Sequence, residues 1–252
     1  MGELVFVGAG LGDETDISPR ARRHLQEARV IFAESYTSLL ADEMLDRLSH
    51  EIDRPILRLD REELESGAPI LAALREAPSV ALLVGGDPFA ATTHVALRLQ
   101  AEEAGHTWTY LPNASVLTAA PSFLGLMHYR FGRTISLPFP EPHFAPRSPL
   151  DGVARNREAN LHTLVLLDLR PGQDRFYPPR EAVRMLPTSP EQRIAVVARV
   201  GTPLAQAWYG TTAELEPVDL GQPLHCLVVP APELHFQEEA ALQRFRPRPV
   251  TD

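Results

Sequence analysis

The chain has 252 residues, 44% hydrophobic and 23% charged, with a formal net charge of -9, enough for a sizeable core in one large domain or two small ones. No apolar run reaches the roughly 18 to 20 residues of a membrane span, and the first residues do not read as a signal peptide, so a cytoplasmic protein without a membrane anchor is expected. The single cysteine, Cys226, excludes an internal disulfide and a cysteine-based zinc site within one chain, and the acidic balance argues against direct nucleic-acid binding.

Leu4 to Val7 is an apolar run that stops at Gly8, Gly10 and Gly12, the pattern of a buried strand entering a tight loop. Ser18 and Pro19 then supply an N-cap and a first-turn proline for a helix reaching Ala28, and Val30 to Ala33 is a second strand. Strand, helix, strand in about 30 residues is the βαβ unit of a parallel sheet. The same order returns at Val80 to Val84, which breaks at Gly85-Gly86-Asp87-Pro88 before a helix from about Thr93 to Ala104 and a strand at Trp108 to Leu111. A helix near Val116 to Gly125 and a strand at Thr134 to Leu137 come next. The passage from Pro138 to Pro149 is too rich in proline for an interior helix and reads as a surface loop. Strands follow at Thr163 to Leu167, Arg193 to Ala198 and Leu224 to Val229, with helices near Arg180 to Leu186 and Glu233 to Arg244. The simplest architecture is α/β with two domains, residues 1–112 and 113–252, each a mostly parallel or mixed sheet with flanking helices.

The first glycine loop, Gly8 to Asp13, fails the dinucleotide fingerprint because Asp13 stands where the third glycine belongs. It remains a loop whose backbone a ligand could approach closely, or a turn serving chain reversal alone. The second loop leaves a strand end as the first does, where open parallel sheets bind ligands. Asp87 offers a carboxylate there, while Thr92 and Thr93 offer hydroxyls for either a ligand or a helix cap. Asn113 and Ser115 sit at the expected domain junction with the same two readings. None of the nine histidines forms a metal-ligand pairing, so no metal is expected. His94, His162 and His225 fit buried hydrogen-bonded roles as well as functional ones, and Cys226 fits a small core residue.

In this order, Gly8-Ala9-Gly10-Leu11-Gly12-Asp13, Glu34-Ser35-Tyr36-Thr37-Ser38, Gly86-Asp87-Pro88-Phe89-Ala90-Ala91-Thr92-Thr93-His94 and Asn113-Ala114-Ser115 resemble the diphthine synthase branch of the tetrapyrrole methylase superfamily. Tyr129 to Gly132, Leu161 to Leu164, Ala198 to Gly201 and Asp219 to His225 extend the resemblance over about residues 4 to 236. It implies a homodimer of two-domain subunits with S-adenosylmethionine in the cleft between the domains. The implied cofactor contacts are Leu11, Asp87, Ala90, Ser115 and Val116, with Leu167, Val200 and His225 from the second domain. The implied reaction is methyl transfer to the amino group of the carboxypropyl-histidine intermediate on elongation factor 2, giving diphthine and S-adenosylhomocysteine. No catalytic residue is assigned, because the sulfonium already activates the methyl group and alignment is the main requirement.

The nearest alternative is a tetrapyrrole C-methyltransferase of the precorrin or uroporphyrinogen type, which is similar in the Gly-Asp-Pro loop. Glu34 to Ser38 and the Thr92-Thr93-His94 run fit the diphthine branch better. A nicotinamide-dependent oxidoreductase is weakened by Asp13, and a binding module without turnover is a third possibility. The departures from the family pattern are Ala9, the segment around Phe144, Pro149 and Leu150, and a short connection from Arg170 to Glu191.

Overall fold

A computed structural model of the chain describes residues 1–34, 42–140, 147–170, 173–186 and 188–247. It divides into two compact units, Met1–Val116 with Arg170–Asp174, and Leu117–Leu169 with the described residues from Arg175 onward.

The first unit is built on a parallel five-stranded sheet of order β3-β2-β4-β1-β5, with β1 Glu3–Gly8, β2 Val30–Glu34, β3 Ile56–Leu59, β4 Ser79–Val84 and β5 Thr107–Leu111. The central strands are continuous apolar runs because both faces are covered. Val5, Val7, Ala81 and Leu83 pack with Leu25 of α1 (Pro19–Glu27) and Leu48 of α2 (Asp42–Ile52). Leu4, Phe6, Leu82 and Val84 pack on the other face with Leu64 of α3 (Arg61–Ser66), Ile70 of α4 (Ala68–Glu76) and Leu97 of α5 (His94–Glu103). Gly8 stands opposite Val84 in register, so the loops after β1 and β4 leave the sheet side by side.

The chain then enters α6, Val116–Leu124. The second unit carries a mixed sheet of order β11-β10-β12-β7-β6, formed by β6 Ile135–Leu137, β7 Thr163–Leu167, β10 Ile194–Ala198, β11 Gln206–Gly210 and β12 His225–Val229. Only the β6–β7 pair among these is parallel. Two short strands, β8 Leu169–Arg170 and β9 Arg175–Phe176, form a separate ladder. Val165, Val196 and Leu227 pack against Val153 of α7 (Arg147–Glu158) and Ala182 and Val183 of α8 (Pro179–Met185). The short helices α9 (Thr212–Leu215) and α10 (Phe236–Leu242) are each closed by a capping box, with Thr211 and Glu214 in the first and His235 and Glu238 in the second.

The expected loop from Pro138 to Pro149 is corrected at its end. Residues 141–146 lie outside the described residues, but α7 starts at Arg147 and holds Pro149 in its first turn. Proline is tolerated there because the first N–H groups of a helix have no intrahelical acceptor to lose. The α1 start agrees with the sequence reading: Ser18 Oγ accepts the Ala21 N–H at 3.1 Å and Pro19 opens the helix.

Candidate functional site

The loops after β1 and β4 are joined to each other. Ala9 N–H donates to the Val84 carbonyl at 2.8 Å, Gly86 N–H to Gly10 at 2.7 Å, and Gly10 N–H to Gly86 at 3.2 Å. Gly10 and Gly86 both have positive φ, 81° and 72°, a region where a side chain is strained. A Cβ on Gly8 would lie 2.7 Å from Asn113 Cβ, so glycine is also needed there for close packing.

Asp16 completes the first loop. Its Oδ2 accepts the Leu11 N–H at 3.2 Å and the Gly12 N–H at 2.8 Å. Asp13 accepts the Thr15 N–H at 2.9 Å and caps a single 3-10 turn, Glu14–Asp16. That turn separates the glycines from α1, which explains why the third glycine of a dinucleotide loop is missing: no helix begins at that point. Asn113 ties the loop from outside, its Nδ2 donating to the carbonyls of Gly8 at 2.9 Å and Asp16 at 3.1 Å. Asn113 therefore serves as a clasp between segments.

In the second loop, Asp87 Oδ1 accepts the Phe89 N–H at 3.0 Å. Its Oδ2 accepts the Tyr110 hydroxyl at 2.5 Å and the Asn113 N–H at 3.3 Å. A carboxylate offers about four acceptor positions, so about one is left for a ligand donor. Burial, together with the hydrogen bond to Asp87, pushes the Tyr110 hydroxyl up to about 12, and it stays a donor at neutral pH. The Ala90 N–H closes a turn onto the Asp87 carbonyl at 3.2 Å. Thr92 bridges the Pro88 carbonyl and the His94 N–H, whereas the Thr93 side chain makes no capping bond. Ser115 and Val116 lie at the end of the first unit, where α6 begins. Glu34 is described and buried, while Ser35 to Ser38 lie outside the described residues.

The three expected contacts in the second unit share one edge of its sheet. Leu167 ends β7, Val200 follows β10 by two residues, and His225 opens β12 beside Ala198. The antiparallel register that pairs Cys226 with Leu166 brings His225 to the level of Leu167. His225 Nε2 lies 2.7 Å from the Leu220 carbonyl. Burial holds the His225 imidazole below its ordinary value, so at neutral pH it is uncharged with Nε2 as the donor. The Leu167 side chain is buried in the core, which leaves its backbone as the group a ligand could reach.

A second polar cluster lies elsewhere in this unit. Ala231 N–H donates to His162 Nδ1 at 2.9 Å, so Nε2 carries the hydrogen that points to Glu238 Oε1 at 3.0 Å. Glu238 also accepts the Met127 N–H at 3.0 Å, the His235 N–H at 3.1 Å and Arg130 Nη1 at 2.5 Å. This is a satisfied buried network and needs no ligand. Among the described residues no group of three or more His, Cys, Asp or Glu could hold a metal ion, and no helix is long and apolar enough to cross a membrane.

Residues 3–216 match the family of Tetrapyrrole (Corrin/Porphyrin) Methylases. A diphthine synthase of Methanospirillum hungatei is 36% identical over 96% of this chain and 97% of its own length. One from Haloquadratum walsbyi is 39% identical over 98% and 96%. A crystal structure of diphthine synthase superposes with a TM-score of 0.87 at 31% identity, covering 97% of this chain and 96% of that one. The chain thus belongs to the diphthine synthases within the tetrapyrrole methylase family and is a methyltransferase.

Proposed function

We propose that this methyltransferase uses S-adenosylmethionine to methylate the amino group of the carboxypropyl-histidine intermediate on elongation factor 2, giving diphthine and S-adenosylhomocysteine. The likeness to diphthine synthases over nearly the whole chain supports the acceptor. The observation that carries the cofactor reading is Asp16, which takes up the Leu11 and Gly12 N–H groups. A pyrophosphate at a glycine loop needs free backbone N–H donors. Here they are spent on a carboxylate, and Asp87 adds a second negative group nearby, which suits a ligand with a cationic centre and donor groups.

In this reading Leu11, Asp87, Ala90, Ser115 and Val116 of the first unit and Leu167, Val200 and His225 of the second contact the cofactor. Asp87 has acceptor capacity left for a ribose hydroxyl or an amine, and Gly10 and Gly86 allow close backbone approach. Burial keeps His225 uncharged at neutral pH, so it adds no positive charge to the contacts proposed for a cationic cofactor. When bound, S-adenosylmethionine supplies a methyl group already activated by its sulfonium. The chain's part is to hold the acceptor amine, unprotonated and away from water, in line with the methyl carbon. No general base is assigned. We extend the proposal to a homodimer acting in the cytoplasm.

Isothermal titration of the purified chain with S-adenosylhomocysteine, and with NAD in parallel, tests the cofactor reading. Binding of the first and not the second is expected; binding of NAD alone, or of neither, would overturn it.

A further inference from the structure

One buried pair of titratable side chains takes no part in the reading above. Glu34 ends β2 and is 0% exposed; His94 opens α5 and is 3% exposed; their Oε2 and Nε2 atoms are 3.2 Å apart. Glu34 alternates with Phe32 along β2 and so shares its apolar face of the sheet, while His94, Leu97 and Ala101 form the buried stripe of α5 against it. Charged groups are kept in such a layer only when partnered.

The other ring nitrogen decides the chemistry. His94 Nδ1 lies 2.7 Å from the Pro88 carbonyl, which only accepts, so Nδ1 carries a hydrogen. On the other side of the ring, Nε2 faces Glu34 Oε2 across 3.2 Å in the same desolvated layer. The pair fixes the ring, and the ring holds the Pro88 carbonyl together with the Thr92 hydroxyl, which donates to the same oxygen at 3.0 Å. Pro88 lies between Asp87 and the Ala90 N–H that closes the turn, two of the proposed cofactor contacts.

We propose that Glu34 and His94 are a buried positioning pair that sets the Asp87 to Ala90 turn for the cofactor through the Pro88 carbonyl, without touching the cofactor. The inference rests on the reading that this loop binds S-adenosylmethionine. It applies to neither the acceptor protein nor the transferred methyl group, so cofactor affinity changes and turnover at saturating cofactor does not.

The test compares H94N, whose amide N–H falls near the place of Nδ1, with H94Q, whose amide does not. Titration of the full chain with S-adenosylhomocysteine is expected to give a Kd raised about five- to tenfold in H94Q, the effect of one lost hydrogen bond, and raised less in H94N, which keeps the bond to the Pro88 carbonyl but loses the contact with Glu34. Equal weakening in both variants, or none in H94Q, overturns the pair's role. No binding by the wild-type chain would instead overturn the cofactor reading, and this inference with it. Should the variants not fold, 15N spectra of the histidine rings in the wild-type protein decide. A hydrogen on Nδ1 of His94 and movement of its ring signals on addition of S-adenosylhomocysteine are expected; a bare Nδ1, or signals that the ligand leaves in place, overturns the proposal.

Discussion

Gly10 and Gly86, 76 positions apart in the chain, donate their N–H groups to each other's carbonyls and so lock the loops after β1 and β4 into one unit. Both have positive φ, but their surroundings differ. A Cβ on Gly10 would lie 2.6 Å from Asp16 Cβ, whereas on Gly86 the nearest atom would be the Ala114 carbonyl oxygen at 3.7 Å. Gly86→Ala is therefore expected to cost about 1 kcal/mol from backbone strain alone. Gly10→Ala is expected to cost about 2–3 kcal/mol, because Asp16 must also move. Guanidinium unfolding of the two variants checks the order, and Gly10→Ala should lose more cofactor affinity as Asp16 releases the Leu11 and Gly12 N–H groups.

Asp87→Asn keeps the size of the side chain but places an amide nitrogen where an acceptor is needed. Phe89, Tyr110 and Asn113 all donate to this carboxylate, so the variant is expected to lose about 1–3 kcal/mol of stability. In the proposed role it also binds S-adenosylhomocysteine at least about tenfold more weakly, because a charge-assisted bond is lost. Wild-type affinity measured calorimetrically would remove Asp87 from the cofactor site.

The His162–Glu238 network gives stability a defined acid limit. Burial acts to raise the Glu238 carboxyl, but hydrogen bonds from Met127 and His235 N–H and from His162 outweigh it and hold it below 4.5. Burial, opposed by Glu238, holds His162 below 6.5. In both cases the unfolded chain binds the proton more readily. The contribution of His162 is present above pH 6.5 and fades as the pH falls below it, and that of Glu238 follows below 4.5. Glu238→Ala strands the donors of Arg130, His162, Met127 and His235 and is expected to cost about 3–5 kcal/mol. Denaturant midpoints of wild type and variant between neutral and acid pH check both the loss and its pH dependence.

Of the five tyrosines, Tyr110 and Tyr209 have hydroxyls pushed up to about 12, Tyr110 by partial desolvation with its hydrogen bond to Asp87 and Tyr209 chiefly by burial. The hydrogen bond from Tyr110 to Asp87 stabilises the fold below the ordinary tyrosine value of 10.0 and is lost as the pH rises through about 12. Ultraviolet titration of the folded protein should show a high-pH tyrosinate step, smaller by one residue in Tyr110→Phe.

The central strands β1 and β4 were legible because strands covered on both faces are continuous apolar runs, and Ser18-Pro19 announced α1 through capping chemistry that acts within four residues. Leu11, Asp87 and Ala90 could be placed near one another because each follows a strand of a parallel sheet. The clasp by Asn113 was not legible: its partner Gly8 lies 105 positions away, and nothing local separates a clasp from a helix cap. Asp16 had a nearer signal, a carboxylate four and five residues after two glycine-loop N–H groups. The helix α7 was hidden by Pro149, whose place in a first turn depends on where the helix begins. His94 and His162 were open between core and functional roles, because the carboxylates that define them, Glu34 and Glu238, are brought to them only by the fold.

Methyl transfer itself is the most direct test. The chain is incubated with S-adenosylmethionine labelled on the methyl group and with elongation factor 2 carrying the carboxypropyl-histidine intermediate. Label is expected on the amino group of that modified histidine, and none on elongation factor 2 lacking the modification. Label absent from the modified factor, or equal on both forms, would contradict the proposed function.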